Sequence, residues 1–485
     1  MEPSAVNTTR IRRVLPGALA VAVVLAAYAY FGGGASFNFP RIGWEESYYA
    51  SLSEGFFRGH LYMAYQPDPR LMALPFPYDY KAREGKVDYV WDASYFNGRY
   101  YLYFSPLPAL IVYMPYRLLR GGYPRDALAA AIFAAWALLA AVAFLRRALA
   151  LTGRAPRIPL PVWILFVGFG NVALFHLMDI RIYEAAILAG SAMSATWAYA
   201  LVRTIEAPSV RRAAWLGVWL ALAIAVRPNL LVLLPVTAFV VWRPAKSRPL
   251  HWIAAAGGPL ALVAILLLGY NYARFGQLFE SGHTYQLTFV AMEGKRVCSL
   301  CTPAEAARFV NMATEYVFWA PSIRAQFPWV DLQFASPDPA TSFPMGAEQV
   351  IGIAPLAPLT MLGTFFAALF FLRRGPAPDR GTRAGMLLML SSWLILFGLA
   401  TCWWIVSRYS LDFMFLMTAA SAVCIESGLA WLDAIGIRML PLRIIVVTLA
   451  CYTIVLGFVI GLGGQNGPFK RLHPEKFEKL ARIFR

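Results

Sequence analysis

The chain has 485 residues, of which 59% are hydrophobic and 14% charged, and its mean hydropathy is +0.55. This composition excludes a soluble globular protein and predicts an all-α, polytopic membrane protein. The net charge is +17. Its basic excess lies in short connections between apolar runs, where it sets membrane orientation, so nucleic acid is excluded as a partner.

Apolar runs of about 18 to 22 residues, the length of a helix that crosses a bilayer, predict about eleven transmembrane helices. The first is predicted to remain as a helix rather than to be cleaved as a signal peptide. The predicted helices lie near residues 14–33, 127–145, 158–178, 184–202, 213–226, 229–242, 252–272, 351–372, 384–402, 410–430 and 444–463.

The turns between these helices indicate the orientation. Turns such as 146–157 and 373–383 carry several Arg residues, whereas the alternate turns near residues 181, 227 and 408 carry one Arg each. Because basic residues favour the cytoplasmic side, the N-terminus is predicted to lie inside.

The chain is predicted to be a single transmembrane domain over residues 1–485. In this orientation it consists of a helix bundle, two long outer loops and a C-terminal tail. The two long extracytoplasmic loops are residues 34–126, with an interfacial or half-inserted helix at 104–119, and residues 273–350. The tail at 464–485 is basic and amphipathic. Eleven helices place the tail outside, but its basic residues favour the inside, and both placements remain open.

Glu45 and Glu46 directly follow the first helix, in Trp44-Glu45-Glu46-Ser47-Tyr48-Tyr49-Ala50. A carboxylate at a lipid–water boundary can act as general base on a hydroxyl, so both are predicted catalytic residues. The alternative is that they cap an interfacial helix at its N-terminus.

The densest aromatic segment of the chain runs from Tyr89 to Phe104. Asn97-Gly98 lies between two aromatic stretches and predicts a β-hairpin. Asp92 and Arg99 are candidates for substrate contact, while the rings themselves are typical of a membrane-interface belt.

A polar turn interrupts the apolar runs at the outer end of the third predicted helix, and it contains Asp179, Arg181, Tyr183 and Glu184. Polar side chains are costly near lipid, so this turn is a predicted substrate-binding site. An ion pair of Arg181 with Asp179 or Glu184 that closes the turn is the alternative.

Arg227, Arg274 and Arg408 each lie at an outward helix end. A guanidinium there suits a phosphate, which it binds in a bidentate fork, although Arg side chains at this depth also reach to lipid headgroups. Asp412 lies four residues after Arg408 and is predicted to orient its guanidinium on the same helix face.

The second outer loop opens with further polar candidates for substrate binding, Asn271, Glu280 and His283. His283 has the chemistry of a base, although a lone histidine is more often structural. Cys298 and Cys301 in the same loop are as consistent with a local disulfide as with two free thiols.

The order of these motifs resembles bacterial membrane glycosyltransferases of the type C fold. The likeness includes Asn97-Gly98-Arg99-Tyr100-Tyr101, Ser105-Pro106-Leu107-Pro108, Tyr270-Asn271-Tyr272-Ala273-Arg274-Phe275-Gly276 and Arg408-Tyr409-Ser410-Leu411-Asp412-Phe413. It extends from about residue 10 to residue 430 and is strongest to the branch of protein mannosyltransferases and lipid A aminoarabinose transferases.

The resemblance implies an inverting transfer of a sugar from a polyprenyl-phosphate carrier to a lipid, glycan or protein acceptor. The reaction would occur on the extracytoplasmic side of the bacterial cytoplasmic membrane, with Glu45 in the place of the family's catalytic aspartate. Tyr103 stands where aminoarabinose transferases carry an acid. No cofactor is assigned, and a divalent metal ion remains an alternative.

Two other classes of function fit parts of the sequence. A transporter or lipid flippase would use broken helices and charged turns, but it predicts acids near the bilayer midplane in two related halves, which the sequence does not contain. A polysaccharide polymerase or ligase shares the donor chemistry.

Overall fold

The computed structural model describes residues 4–245, 249–293, 302–334, 348–373, 377–402, 405–464 and 467–483. Helices form most of this part of the chain, and Cys298 and Cys301 lie outside it. The helices are α1 Ser4–Gly32, α2 Tyr48–Phe57, α3 Pro69–Met72, α4 Tyr80–Arg83, α5 Met114–Arg120, α6 Asp126–Leu151, α7 Leu160–Phe169, α8 Ala173–Leu177, α9 Ile182–Glu206, α10 Val210–Val226, α11 Leu234–Ala245, α12 Pro249–Phe275, α13 Pro303–Phe318, α14 Ile353–Leu356, α15 Leu359–Leu372, α16 Arg380–Ala400, α17 Leu411–Ala434, α18 Met439–Gly463, α19 Pro468–Leu472 and α20 Pro474–Ile483.

The predicted all-α, multi-pass class is confirmed, but the number of eleven spans is not. Within the described residues, seven helices are long and apolar enough to cross a membrane. The other four predicted spans, 158–178, 213–226, 229–242 and 351–372, are helical but are not among these seven. Residues 170–172 separate α7 from α8, Arg227 ends α10, and residues 357–358 separate α14 from α15. The seven candidate spans are Leu15–Gly32, Asp126–Leu151, Ile182–Glu206, Pro249–Phe275, Arg380–Ala400, Ser407–Ala434 and Met439–Gly463.

Helix α17 lies at the centre of the bundle, since every residue from Leu411 to Ala430 is buried. It packs against α6, α7, α9, α15 and α16. Helices α6 and α9 form the most extensive pair, and many of their buried residues are alanine, which allows close approach of the two backbones. Helix α12 is mostly exposed and packs on α10 at the edge.

Within the described residues, the strands lie in the loops and form four two-stranded antiparallel ribbons. The predicted hairpin is present, with Asn97 and Gly98 at φ of +48° and +70° in its turn. Residues 109–120 are helical, as predicted for the first loop, with a π-helical turn at Ala109–Tyr113 before α5. The ribbons pair β1 Arg41–Ile42 with β4 Tyr123–Pro124, β2 Ser94–Phe96 with β3 Arg99–Tyr101, β5 Ser322–Ile323 with β6 Val330–Asp331, and β7 Gln333–Phe334 with β8 Gln349–Val350.

The C-terminal tail packs at the end of the bundle that carries both long loops. Arg471 Nη2 lies 3.0 Å from Asp179 Oδ1, and His473 Nε2 lies 2.6 Å from the carbonyl oxygen of Gly34. The ring of Phe477 contacts Phe327 of the second loop. These contacts favour, of the two placements left open by the sequence, the one in which the tail is on the same side as the loops.

Candidate functional site

Asp92 is a buried carboxylate in the first loop, where the aromatic segment meets strand β2. Only 9% of its surface is exposed, and its φ of +59° is a conformation that residues other than glycine rarely adopt. Its backbone N–H donates to the carbonyl oxygen of Leu287 in the second loop, at 3.1 Å. Backbone strain of this kind persists only where surrounding contacts impose it, and such positions cluster at functional sites.

Three side chains donate hydrogen bonds to the Asp92 carboxylate. The Tyr183 hydroxyl lies 2.6 Å and the Tyr103 hydroxyl 3.3 Å from Oδ2, while Gln286 Nε2 lies 3.1 Å from Oδ1. Burial raises the pKa of Asp92 above its ordinary value, and the two tyrosine hydroxyls and the charge of Arg408 partly offset this rise. The result is a carboxylate whose proton affinity is increased, as general bases require.

Arg408 lies on the other side of Tyr183. Its guanidinium carbon is 4.1 Å from the centroid of the Tyr183 ring, so one tyrosine contacts both the carboxylate and the guanidinium. Arg408 Nη1 also forms an ion pair with Glu348 Oε1. Glu348 is 2% exposed and lies at the end of the second loop, directly before β8.

A second group of buried polar side chains lies beside Arg408. His176 Nε2 is 2.9 Å from the hydroxyl oxygen of Ser407, the residue before Arg408, and His176 Nδ1 is 3.8 Å from Glu184 Oε1. The other carboxylate oxygen of Glu184 accepts from the backbone N–H of Arg181 at 2.8 Å, at the start of α9. Helices α8 and α9 and the residues directly before α17 thus meet at this end of the bundle through polar contacts.

The structure brings together Asp92, Tyr183, Glu184 and Arg408 of the predicted site residues. Asp179 and Arg181 lie at the rim, but neither predicted ion pair of their turn is present. Asp179 pairs instead with Arg471 of the tail, while Arg181 contributes its backbone N–H to Glu184. These contacts replace the turn-closing pair because the tail packs against this turn.

The predicted orientation of Arg408 by Asp412 is wrong. Residues Ser407–Ser410 form a 3-10 turn, in which residues four apart do not share a face. Asp412 instead binds Arg227, with 2.7 Å between Arg227 Nη2 and Asp412 Oδ2, and accepts from Asn229 Nδ2 at 2.9 Å. Arg227 and Asp412 therefore form a separate pair inside the bundle.

Arg274, at the end of α12, forms hydrogen bonds that join this helix to the first loop. Its guanidinium donates to the carbonyl oxygen of Leu102 and to Asn271 Oδ1, both at 2.8 Å, and lies 3.9 Å from the centroid of the Tyr270 ring. These contacts fix the residue before Tyr103. Arg274 and Asn271 thereby act on the backbone that carries a donor to Asp92.

Glu280 and His283 lie in the turn that follows α12. Glu280 Oε1 accepts from the backbone N–H of Gly282 at 2.5 Å. The ring of His283 lies edge-on to that of Tyr103, with 6.4 Å between centroids, and burial lowers the pKa of His283. Gln286, which donates to Asp92, follows His283 by three residues and Glu280 by six.

Glu45 and Glu46 are exposed in a 3-10 turn, Trp44–Glu46. Glu46 Oε1 accepts from the backbone N–H of Gly43 at 3.0 Å, whereas Ser47 caps α2 through the N–H of Ala50. Within the described residues, neither carboxylate forms a hydrogen bond or ion pair with Asp92 or Arg408. The segment is nevertheless adjacent, since the Tyr48 hydroxyl donates to the carbonyl oxygen of Trp91 at 2.6 Å.

Five members of the site were not predicted as site residues from the sequence: Tyr103, His176, Gln286, Glu348 and Ser407. His176 did carry a signal, because a histidine inside an apolar run is a functional candidate by default. Glu348 and Gln286 are polar residues in polar loops, where their type and spacing carry no signal of burial.

The described residues contain no group of three or more His, Cys, Asp or Glu side chains that could hold a metal ion. Around Asp92, the described contacts are two tyrosine hydroxyls and a side-chain amide, which are hydrogen-bond donors to the carboxylate rather than further metal ligands. The predicted alternative of a divalent metal ion has no matching ligand set in this part of the structure, and no step is assigned to one.

No family model and no curated protein sequence matches the chain. Among solved structures, the chain is similar to the crystal structure of the Archaeoglobus fulgidus oligosaccharyltransferase in the apo form. The TM-score is 0.45 and the sequence identity 12%, over 96% of this chain and 59% of that chain. The chain thus spans 59% of the length of that protein.

Proposed function

We propose that this chain is a multi-pass membrane glycosyltransferase. It transfers a sugar from a polyprenyl-phosphate donor to a lipid, glycan or protein acceptor at the extracytoplasmic face of the bacterial cytoplasmic membrane. The observation that carries the proposal is the joint contact of Tyr183 with the buried Asp92 carboxylate and the Arg408 guanidinium. The resemblance of the motif order to type C glycosyltransferases supports the same class of reaction.

Asp92 is the proposed general base. Its two oxygens offer about four acceptor positions, and the described donors are Tyr183, Tyr103 and Gln286. The remaining position accepts the proton of the acceptor hydroxyl. The hydroxyl oxygen then bonds to the anomeric carbon as the bond from that carbon to the phosphate oxygen breaks, with inversion of configuration.

Arg408 is the proposed ligand of the departing polyprenyl phosphate, which carries away the electron pair of the broken bond. A fixed guanidinium in a site of low water content stabilises this developing charge strongly. Glu184 and His176 position the backbone around Ser407 and Arg408. Glu45 and Glu46, predicted as catalytic, remain candidates for the base because their segment contacts Trp91, next to Asp92.

The test measures the release of polyprenyl phosphate from a panel of synthetic polyprenyl phosphosugars in membranes that contain the full chain. We expect Asp92→Asn to lower the rate about 10²–10⁴-fold and Arg408→Gln to lower it about 10²–10³-fold. Asp88→Asn removes an exposed carboxylate of the same segment and should leave the rate unchanged.

Glu45→Gln and Glu46→Gln in the same assay decide between the candidate bases. A loss in Glu45→Gln with none in Asp92→Asn would move the base to the first turn. Wild-type release in both Asp92→Asn and Arg408→Gln, at normal thermal stability, would contradict the proposed site. Movement of the donor across the membrane without release of polyprenyl phosphate would favour a flippase.

A further inference from the structure

Two buried arginine–carboxylate pairs lie near the start of α17, and they differ in how completely they are bonded. In the pair of Arg227 with Asp412, the carboxylate accepts from Arg227 Nη2 at 2.7 Å, from Arg227 Nε at 3.2 Å and from Asn229 at 2.9 Å. Asp412 is completely buried. A pair bonded in this way is closed, and it joins α17 to the break after α10.

The pair of Arg408 with Glu348 is open. It consists of a contact between Nη1 and Oε1, while Arg408 Nε and Glu348 Oε2 are buried without a hydrogen-bond partner in the described residues. A buried donor or acceptor without a partner is destabilising, because it has lost its hydrogen bonds to water and gained none in the protein. The open pair therefore contains a buried, unused donor on the guanidinium and a buried, unused acceptor on the carboxylate, whereas Arg227 and Asp412 contain no buried side-chain atom without a partner in the described residues.

A phosphate group matches the unused donor better than Glu348 does. Phosphate oxygens bind a guanidinium in a fork that uses two N–H groups at once, and Nε is one of the groups left free. Glu348 reaches Arg408 from the end of the second loop, directly before β8, a strand of two residues. Such a short strand adds little resistance to displacement of the side chain.

The charges near Arg408 also favour replacement of Glu348 by the phosphate over binding of the phosphate in addition to Glu348. The Arg408 charge acts on the carboxyl groups of Asp92 and Glu184, and Glu348 contacts it directly. A donor phosphate added to these three carboxylates would meet like charges, which repel it at close range. If Glu348 is released when the phosphate binds, one anion replaces another beside the Arg408 guanidinium, and the local charge stays balanced.

We propose that Glu348 is an exchangeable counter-ion of Arg408. It neutralises the guanidinium while the donor site is empty, and the phosphate of the donor displaces it. This inference rests on the proposed function, because it takes Arg408 as the phosphate ligand. It assigns to Glu348 a role in donor affinity, in contrast to Asp412, whose closed pair has a structural role.

The experiment measures the affinity of the purified full chain in nanodiscs for a short-chain polyprenyl phosphate without sugar. We expect Glu348→Gln to bind the probe about tenfold more tightly than wild type, because the competing charge is removed while the side chain keeps its size. Glu348→Asp, whose carboxylate is retracted by one methylene, should bind with intermediate affinity. Arg408→Gln should bind at least about tenfold more weakly.

Asp331→Asn is the matched control, since it removes the carboxylate of a more exposed arginine pair in the same loop, Arg324 with Asp331. Its affinity should equal that of wild type. Unchanged or weaker binding by both Glu348 variants, with a loss in Arg408→Gln, would overturn the counter-ion role and leave the phosphate role of Arg408 intact. Wild-type binding by Arg408→Gln, or no binding by wild type, would instead refute the proposed donor site and this inference together.

Discussion

At the scale of single residues, Tyr183 contacts both groups that are proposed to carry out the reaction, the Asp92 carboxylate and the Arg408 guanidinium. Its hydroxyl donates to Asp92, and its ring lies against the guanidinium of Arg408. Burial raises the pKa of Asp92, while the hydrogen bond from Tyr183 stabilises the ionised form and lowers it. The acid side of the pH–rate profile therefore depends on Tyr183 if Asp92 is the base.

Tyr183→Phe should shift the acid limb of the pH–rate profile to higher pH. The base must be ionised, so the rate falls as the pH drops through the pKa of Asp92. Loss of the Tyr183 hydroxyl removes a contact that lowers this pKa, and the rate then begins to fall at a higher pH. The measurement is the initial rate of donor cleavage against pH.

Tyr80→Phe is the control for this change, because the Tyr80 hydroxyl donates to Glu84 rather than to Asp92. Its acid limb should match that of wild type. An acid limb that stays in place in Tyr183→Phe, or shifts to lower pH, would show that Asp92 is not the group whose ionisation limits the rate.

The sequence predicted the site residues that stand out from their surroundings but not their partners. Asp92 lies among aromatic residues, and Tyr183 and Arg408 lie between apolar runs. Their polarity in these surroundings therefore identified them as candidate site residues. Their contacts join residues far apart in the chain, as with Asp92 and Gln286, and no local pattern encodes such pairs. The predicted pair of Arg408 and Asp412 failed because it assumed an α-helix where a 3-10 turn occurs.

At the scale of elements, the hairpin β2–β3 connects the first loop to the second. Ser94 donates from its hydroxyl to the carbonyl oxygen of Gly282 at 2.7 Å and forms a β-bridge with Gln286. This bridge fixes the backbone of Gln286, whose side-chain amide donates to Asp92. The sequence predicted the hairpin because its turn is local, whereas the interruption between α7 and α8 depends on buried contacts of Asn171 with Val167 and Gly168.

Gly98→Ala should destabilise the hairpin by about 1 kcal/mol, because Gly98 has a φ of +70°, which an alanine adopts at a cost. Space is not the reason, since a Cβ at this position would meet Met72 Cε at 3.6 Å, an ordinary contact. The measurement is the free energy of unfolding of the purified chain in detergent. Asn97→Gly, which also suits the turn, should be close to neutral, and an equal loss in both variants would contradict the argument from backbone conformation.

At the scale of the whole molecule, hydropathy and charge predicted the class of the fold, since both are properties of long segments. They did not place the tail, because its basic residues and the helix count favour opposite sides. Contacts within the fold favour the side of the loops: Arg471 pairs with Asp179, and the Phe477 ring contacts Phe327 of the second loop. A single ion pair between exposed groups contributes little, but the ring contact and the approach of His473 to Gly34 join the tail to both loops.

The tail is therefore expected on the same side of the membrane as the first loop. In a variant whose native cysteines are replaced by serine, Asp88→Cys in the first loop and Lys479→Cys in α20 should react with a membrane-impermeant maleimide added to intact cells. Arg154→Cys, in the basic turn between α6 and α7, should react only after the membrane is opened. Because all three positions are exposed in the fold, differences in labelling report the side of the membrane rather than burial. Labelling of Asp88→Cys without Lys479→Cys would place the tail on the opposite side and contradict the contacts that join it to the loops.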